Sequence, residues 1–181
     1  MTEPLLDGVA LHRAFSLVAE RLQRKGVVGE IHIFGGAAMV LVFRSRLATR
    51  DVDAVFTPDG AVRDAADHAA RLLGLPRSWL NNQASGYVSR TPGRGVLVVD
   101  HPHLRVVATN PEHLLAMKVR AARAVRDADD IRVLIVHLNM LSLSEIRAVV
   151  RRYFPDEPLS ARSLELVSDI LREVRGVVDG R

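Results

Sequence analysis

The chain has no cysteine, which removes disulfides and thiolate metal sites and fits a reducing compartment. It is poor in aromatics, at 4% with a single tryptophan, so a surface built on rows of stacking rings is excluded. Lysine is nearly missing too: of 25 basic residues only Lys25 and Lys118 are lysines. No apolar run approaches the roughly 18 residues a membrane span needs. The first fifteen residues carry two acids and no basic-then-apolar pattern, so they read as mature, cytoplasmic protein and not as a signal peptide.

What is present fits one globular domain. There are 181 residues, 48% of them hydrophobic and 25% charged, the proportions of an ordinary soluble core and surface. The net charge of +4 is carried by arginine, whose planar fork suits phosphate. A nucleotide or nucleic-acid partner is therefore permitted and not required, since an arginine-rich balance also follows from GC-rich coding.

Periodicity predicts a helix over 9–24, with Leu11, Phe15, Val18, Ala19 and Leu22 on one face, then a strand over 30–34. A Gly35-Gly36 turn opens a short helical stretch over 37–43. A second strand is expected over 51–56, and a helix over 61–73 with Ala65, Ala66, Ala69 and Leu72 facing inward. Residues 74–95 are irregular. Strands are expected over 96–100 and 104–109. Asn110-Pro111 is a helix start, with Asn as cap and Pro at the first position. Only helices follow, over 111–124, 127–138, 142–153 and 160–177. The expected class is α/β: a small mixed sheet flanked by helices over about 1–110, then a helical part over 111–181 packed on it. No linker separates the two, so a single domain is expected.

The stretch that carries chemistry is Phe34-Gly35-Gly36, fourteen residues, then Asp51-Val52-Asp53. Residues i and i+2 of a strand share a face, so Asp51 and Asp53 would aim two carboxylates at one point while Val52, Ala54 and Phe56 face the core. Paired carboxylates call for a cation, and Mg²⁺ commonly joins carboxylates to nucleotide phosphates. A glycine turn between strand and helix lets backbone N–H groups approach a phosphate. Either half alone is a common turn or strand end. Together they are specific.

The pattern resembles the DNA polymerase β-type nucleotidyltransferase superfamily. In detail it is similar to the DUF6036 branch and, more distantly, to AbiEii/MenT-type toxin nucleotidyltransferases. The resemblance is carried by Gly35-Gly36-Ala37-Ala38, Thr49-Arg50-Asp51-Val52-Asp53-Ala54-Val55-Phe56, Gly74-Leu75-Pro76, Trp79-Leu80-Asn81, Leu114-Leu115-Ala116-Met117-Lys118, Arg123, Arg126-Asp127 and Asp130-Ile131. It implies a nucleotidyltransferase fold that moves NMP from an NTP to an acceptor hydroxyl with Mg²⁺, or Mn²⁺ in its place. It makes Asp51 and Asp53 the metal ligands and places Gly35, Gly36, Thr49 and Arg50 at the nucleotide. Lys118 falls at a phosphate-contacting lysine. Asp127 matches an acid needed for activity, with Asp130 close enough to take that role. From the toxin branch, the acceptor would be a tRNA 3′ end and a cognate antitoxin protein would restrain the enzyme.

Bland readings stand beside these. Asp127 and Asp130 lie in a first helical turn, where acids stabilise the helix end, and both border the apolar stripe of Ile131, Leu134, Ile135 and Leu138. Lys118 borders the stripe of Leu114 and Leu115, where a lysine also snorkels. Trp79 reads as packing a short turn, with base stacking as its alternative, and His101 and His103 read as surface residues. One departure from the superfamily matters: the strand over 104–109 has no third carboxylate, and Asp100 is the nearest substitute. A catalytically silent nucleotide-binding or interaction module of the same fold is therefore the rival reading. A plain nucleic-acid binder ranks last, since no helix has the required exposed basic face.

Overall fold

A computed structural model describes residues 4–83, 94–121 and 127–179. Arg123 and Arg126 lie outside the described residues. The contacts sort into two compact units: the described residues up to 83 together with Gly95–Thr109 form an α/β unit, and those from Asn110 onward, with Arg94, form a helical one. No described helix is long and apolar enough to cross a membrane.

In the first unit, β1 (Leu6–Asp7) leads into α1 (Gly8–Arg24), and the Asp7 carboxylate caps α1 by accepting from Ala10 N–H at 2.8 Å. Next come β2 (Gly29–Ile33), α2 (Gly35–Ala38) with a π-helical turn at Met39–Phe43, and β3 (Ala48–Thr49). Then follow β4 (Val52–Thr57), α3 (Asp59–Leu73), a 3₁₀ turn at Arg77–Trp79 and β5 (Leu80–Asn81). The unit closes with β6 (Val96–His101) and β7 (Leu104–Ala108). The main sheet runs β5-β4-β2-β7-β6; β2 is antiparallel to β4 and parallel to β7, so the sheet is mixed. Strands β1 and β3 form a separate antiparallel pair. The fold class is thus mixed α/β, as the element order predicts.

One face of the sheet is the core. Ile31, Ile33, Val52, Ala54, Leu104, Val106 and Ala108 are buried there, and α1 and α3 bring Leu11, Phe15, Val18, Leu22, Val62 and Ala65 to it. The helices are tied to each other by Arg21 and Lys25, which reach Asp64 at 3.1 and 2.7 Å. Those two bonds, Lys25 first, hold the Asp64 carboxyl below the usual carboxylate range. Trp79 is fully buried, 6.0 Å from Phe15, and its indole N–H donates to the Ala66 carbonyl at 3.0 Å, so packing is its role.

Three expectations need correction. Leu72 is 59% exposed; the α3 stripe runs through Val62, Ala65, Ala66, Ala69 and Ala70, and Leu72 falls off it. Phe56 is half-buried, with the Arg63 guanidinium 5.4 Å over its ring, because the strand is leaving the core there. His101 and His103 are half-buried and structural. His103 Nδ1 donates to the Val27 carbonyl at 2.9 Å, and His103 N–H donates to His101 Nδ1 at 3.1 Å.

The second unit has α4 (Pro111–Ala121), α5 (Ala128–His137), α6 (Leu143–Tyr153) and α7 (Ala161–Asp179), packed on one another. Asn110 caps α4: its Oδ1 accepts from His113 N–H at 2.9 Å and from the Tyr153 hydroxyl at 3.2 Å. His113 is buried and stacks on Tyr153 at 4.6 Å. Ser142 and Glu145 form a reciprocal capping box on α6.

Candidate functional site

The face of the sheet opposite α1 and α3 carries the candidate carboxylates. Alternation along β4 buries Val52 and Ala54 and leaves Asp53 and Val55 on the other side. Asp51 stands one residue before the strand begins, half-buried like Asp53. The strand is therefore shorter at its start than expected. The alternation continued back from Asp53 puts Asp51 on the same side.

The Gly-Gly turn lies against these residues. Phe34 N–H donates to the Asp53 carbonyl at 3.0 Å, which joins the end of β2 to the start of β4. Gly35 has φ +64°, a left-handed conformation that favours glycine. A Cβ there would come within 3.2 Å of Asp53 Oδ2, so the carboxylate lies beside the space that a side chain at this position would fill. A Cβ on Gly36 would meet Thr49 Oγ1 at 2.5 Å and come within 3.9 Å of an Arg46 guanidinium nitrogen. Thr49 is buried, and its hydroxyl donates to the Asp51 carbonyl at 3.1 Å. One hydroxyl thus spans from the glycine turn to the backbone of the first carboxylate residue. Arg50, between them, is exposed.

The close approach makes a prediction. Gly36→Ala is expected to destabilise by about 1–3 kcal/mol, because buried Thr49 must yield. Adding Thr49→Ala removes the colliding oxygen, so the double variant should unfold at less than the summed cost in a denaturant double-mutant cycle. Strict additivity would mean that the two residues do not touch.

Two residues that sequence reasoning missed belong to this neighbourhood. Arg46 was hidden in the irregular stretch between the glycines and the aspartates; its signal was an arginine three residues before Thr49. His32 was hidden as an ordinary strand residue. Register pairs it with Val55 on β4 and Val107 on β7, which puts it on the Asp53 face, three residues before Gly35. Thr109 Oγ1 donates to the Ile33 carbonyl at 3.1 Å and lies 3.0 Å from His32 Nε2, so neutral His32 carries its proton on Nε2 and donates it to Thr109.

Burial pushes the His32 imidazole below its usual value of 6.5, only partly offset by Glu30. The unfolded chain then binds a proton at a higher pH than the folded one, so this contribution is intact above pH 6.5 and is lost as pH falls below it. Melting temperature measured from pH 7.5 to 5 should fall with acidity more steeply in the wild type than in His32→Gln. Equal slopes would contradict the assignment.

Register answers the third-carboxylate question for Asp100. It pairs with Arg105, which pairs with Glu30, whereas Asp53 joins the sheet beside Phe34. Four residues at about 3.3 Å each place Asp100 roughly 13 Å farther along the strands, and three strands across. Among the described residues, no group of three or more His, Asp or Glu could hold a metal ion.

The remaining expected residues form a cluster within the second unit. Lys118 Nζ lies 2.6 Å from Asp130 Oδ2 and 3.3 Å from Asp127 Oδ1. All three are buried, at 7%, 1% and 7% exposure. Asp127 begins α5 but makes no side-chain cap bond to the helix; its carboxylate turns to the lysine instead. Neither a simple cap nor a snorkelling lysine describes this arrangement. Two buried carboxylates hold one ammonium.

Compared with known proteins, the chain matches no family model, no curated protein and no solved structure.

Proposed function

We propose that the α/β unit is a nucleotidyltransferase that binds an NTP at Gly35-Gly36 and Thr49 and transfers NMP to an acceptor hydroxyl. The observation that carries this reading is the closeness of the Asp53 carboxylate to Gly35, where an added Cβ would lie 3.2 Å from Oδ2. It brings a candidate metal ligand to a turn whose N–H groups can receive phosphate. Two carboxylates, with no third beside them among the described residues, fit Mg²⁺, which is usually held by one or two protein carboxylates with the rest of its shell from phosphate and water. Bound there, the ion would neutralise charge on the phosphates and orient the α-phosphorus.

In the proposed reaction the acceptor hydroxyl gives up its proton to water as its oxygen bonds to the α-phosphorus, the α–β phosphoanhydride breaks, and pyrophosphate leaves. Asp51 and Asp53 would hold the metal. Gly35 and Gly36 admit the phosphates to the backbone, and Thr49 fixes the Asp51 main chain. Arg46 and Arg50 supply positive charge at the turn. Such catalysis is positioning plus electrostatics. Lys118, already balanced by two carboxylates, is assigned a structural role in the helical unit. The resemblance to toxin enzymes supports a cytoplasmic setting, a tRNA 3′ end as acceptor and a protein antitoxin.

Incubation with each α-labelled NTP, Mg²⁺ and total tRNA tests this, with Asp51→Ala as control. Label on RNA from the wild type alone is the expected outcome. A second reading, a silent nucleotide-binding module, is favoured by the lack, among the described residues, of a third acid beside Asp53. It would give nucleotide binding without transfer to any acceptor.

A further inference from the structure

The helical unit carries a surface cleft that the proposed reaction does not use. It has a volume of about 430 Å³ and apolar walls from Val150, Phe154, Leu159 and Leu164. A second hollow of about 390 Å³ lies along the same helix, α6. Arg147 and Arg151 border both.

These arginines differ from their neighbours. Arg152 pairs with Glu112 at 2.6 Å, and Arg120 pairs with Glu157. Arg147 and Arg151 are exposed and have no carboxylate in ion-pair range among the described residues. They stand one helical turn apart, with Cβ atoms about 5–6 Å from each other. The result is an apolar cleft edged by two uncompensated cations in register.

We propose that this surface docks an acidic, apolar-anchored protein segment. One large apolar side chain fills the cleft, and two carboxylates a helical turn apart meet Arg147 and Arg151, the helix-in-groove mode. The chemistry of the cleft favours a peptide over a nucleic acid. Its one aromatic wall, Phe154, is buried, with the Arg120 guanidinium 3.9 Å over one face, so the ring is not offered for base stacking. Asp156 and Glu157 also line it, which opposes a continuous phosphate chain and tolerates carboxylates placed only at the two arginines.

The test is selection of displayed 12-residue peptides on the full-length chain. Enriched peptides are then synthesised with a fluorescent label and titrated by anisotropy. The expected peptides combine a large apolar residue with two acids three or four positions apart. Their Kd should weaken about tenfold or more in Arg147→Glu/Arg151→Glu, in line with other charge pairs at interfaces, and also in 0.5 M salt. Both positions are exposed, so the double variant should melt like the wild type; Leu159→Ala gives an independent loss through the apolar wall. Enrichment without acids, no enrichment, or affinity unchanged by the double variant would overturn the proposal. So would a labelled oligouridine whose binding, and not that of peptides, depends on Arg147 and Arg151.

Discussion

Asp53→Asn is expected to lower nucleotidyl transfer by about 10²–10³-fold or more, the scale seen when one preorganised electrostatic group is lost at a reacting phosphate or carbonyl. The substitution keeps size and shape and removes the charge that would hold the cation. Asp53 is half-buried and outside the apolar core, so the melting temperature should change by only a few degrees. Asp51→Asn should behave alike, and the double variant should be little worse than either alone, because residues acting on one ion fail together. Asp100→Asn is the matched control. Its place at the far end of the sheet means that transfer should be unchanged. Initial rates of label incorporation, with melting curves for each variant, check all four. Equal loss in Asp100→Asn would show that the carboxylates act through general charge.

Lys118→Met should act oppositely, through the fold. Removing the ammonium leaves Asp127 and Asp130 buried, against a lysine that approached to 2.6 Å. Breaking one side of a buried ion pair costs about 3–5 kcal/mol, or roughly 6–20 °C in melting temperature for a chain of this size. Adding Asp130→Asn removes one of the two buried negative charges and should recover part of the loss. The cost is specific to this cluster: Arg132, half-exposed and bonded to Asp129 and Glu173, is expected to cost about 1 kcal/mol or less when replaced by Gln. Thermal melts of Lys118→Met, the double variant and Arg132→Gln make the comparison. If Lys118→Met melted like the wild type and lost only transfer, its ammonium would be catalytic.

The long helices and central strands were legible because each buries a periodic stripe large enough to define it. Leu11, Phe15, Val18 and Leu22 on α1 are the clearest case, all fully buried. Strands β1, β3 and β5 were not legible. Each is two residues long, and what makes them strands is a distant partner, such as Leu6 opposite Thr49, which no local period encodes. Of the candidate site, the two aspartates and the glycine turn could be read from spacing, since strand alternation is a local rule. Arg46 and His32 could not, as their importance comes from what the turn and the neighbouring strands bring alongside.

Lys118, Asp127 and Asp130 show the same limit. Sequence placed each beside an apolar stripe, and correctly so, yet separate helical periodicities cannot say that the three groups meet. Nine and twelve residues separate the lysine from the acids, and only the pairing of α4 with α5 brings them together. The resemblance assigned the lysine to phosphate; the geometry gives it two protein carboxylates.

Crystals soaked with Mn²⁺ and a non-hydrolysable NTP analogue, measured for anomalous scattering, address the shared carboxylate site most directly. A peak about 2.1 Å from oxygens of both Asp51 and Asp53, with analogue phosphate against the Gly35-Gly36 backbone, is the expected result. Mn²⁺ and analogue bound elsewhere, or a peak at this place that survives in Asp53→Asn, would contradict it.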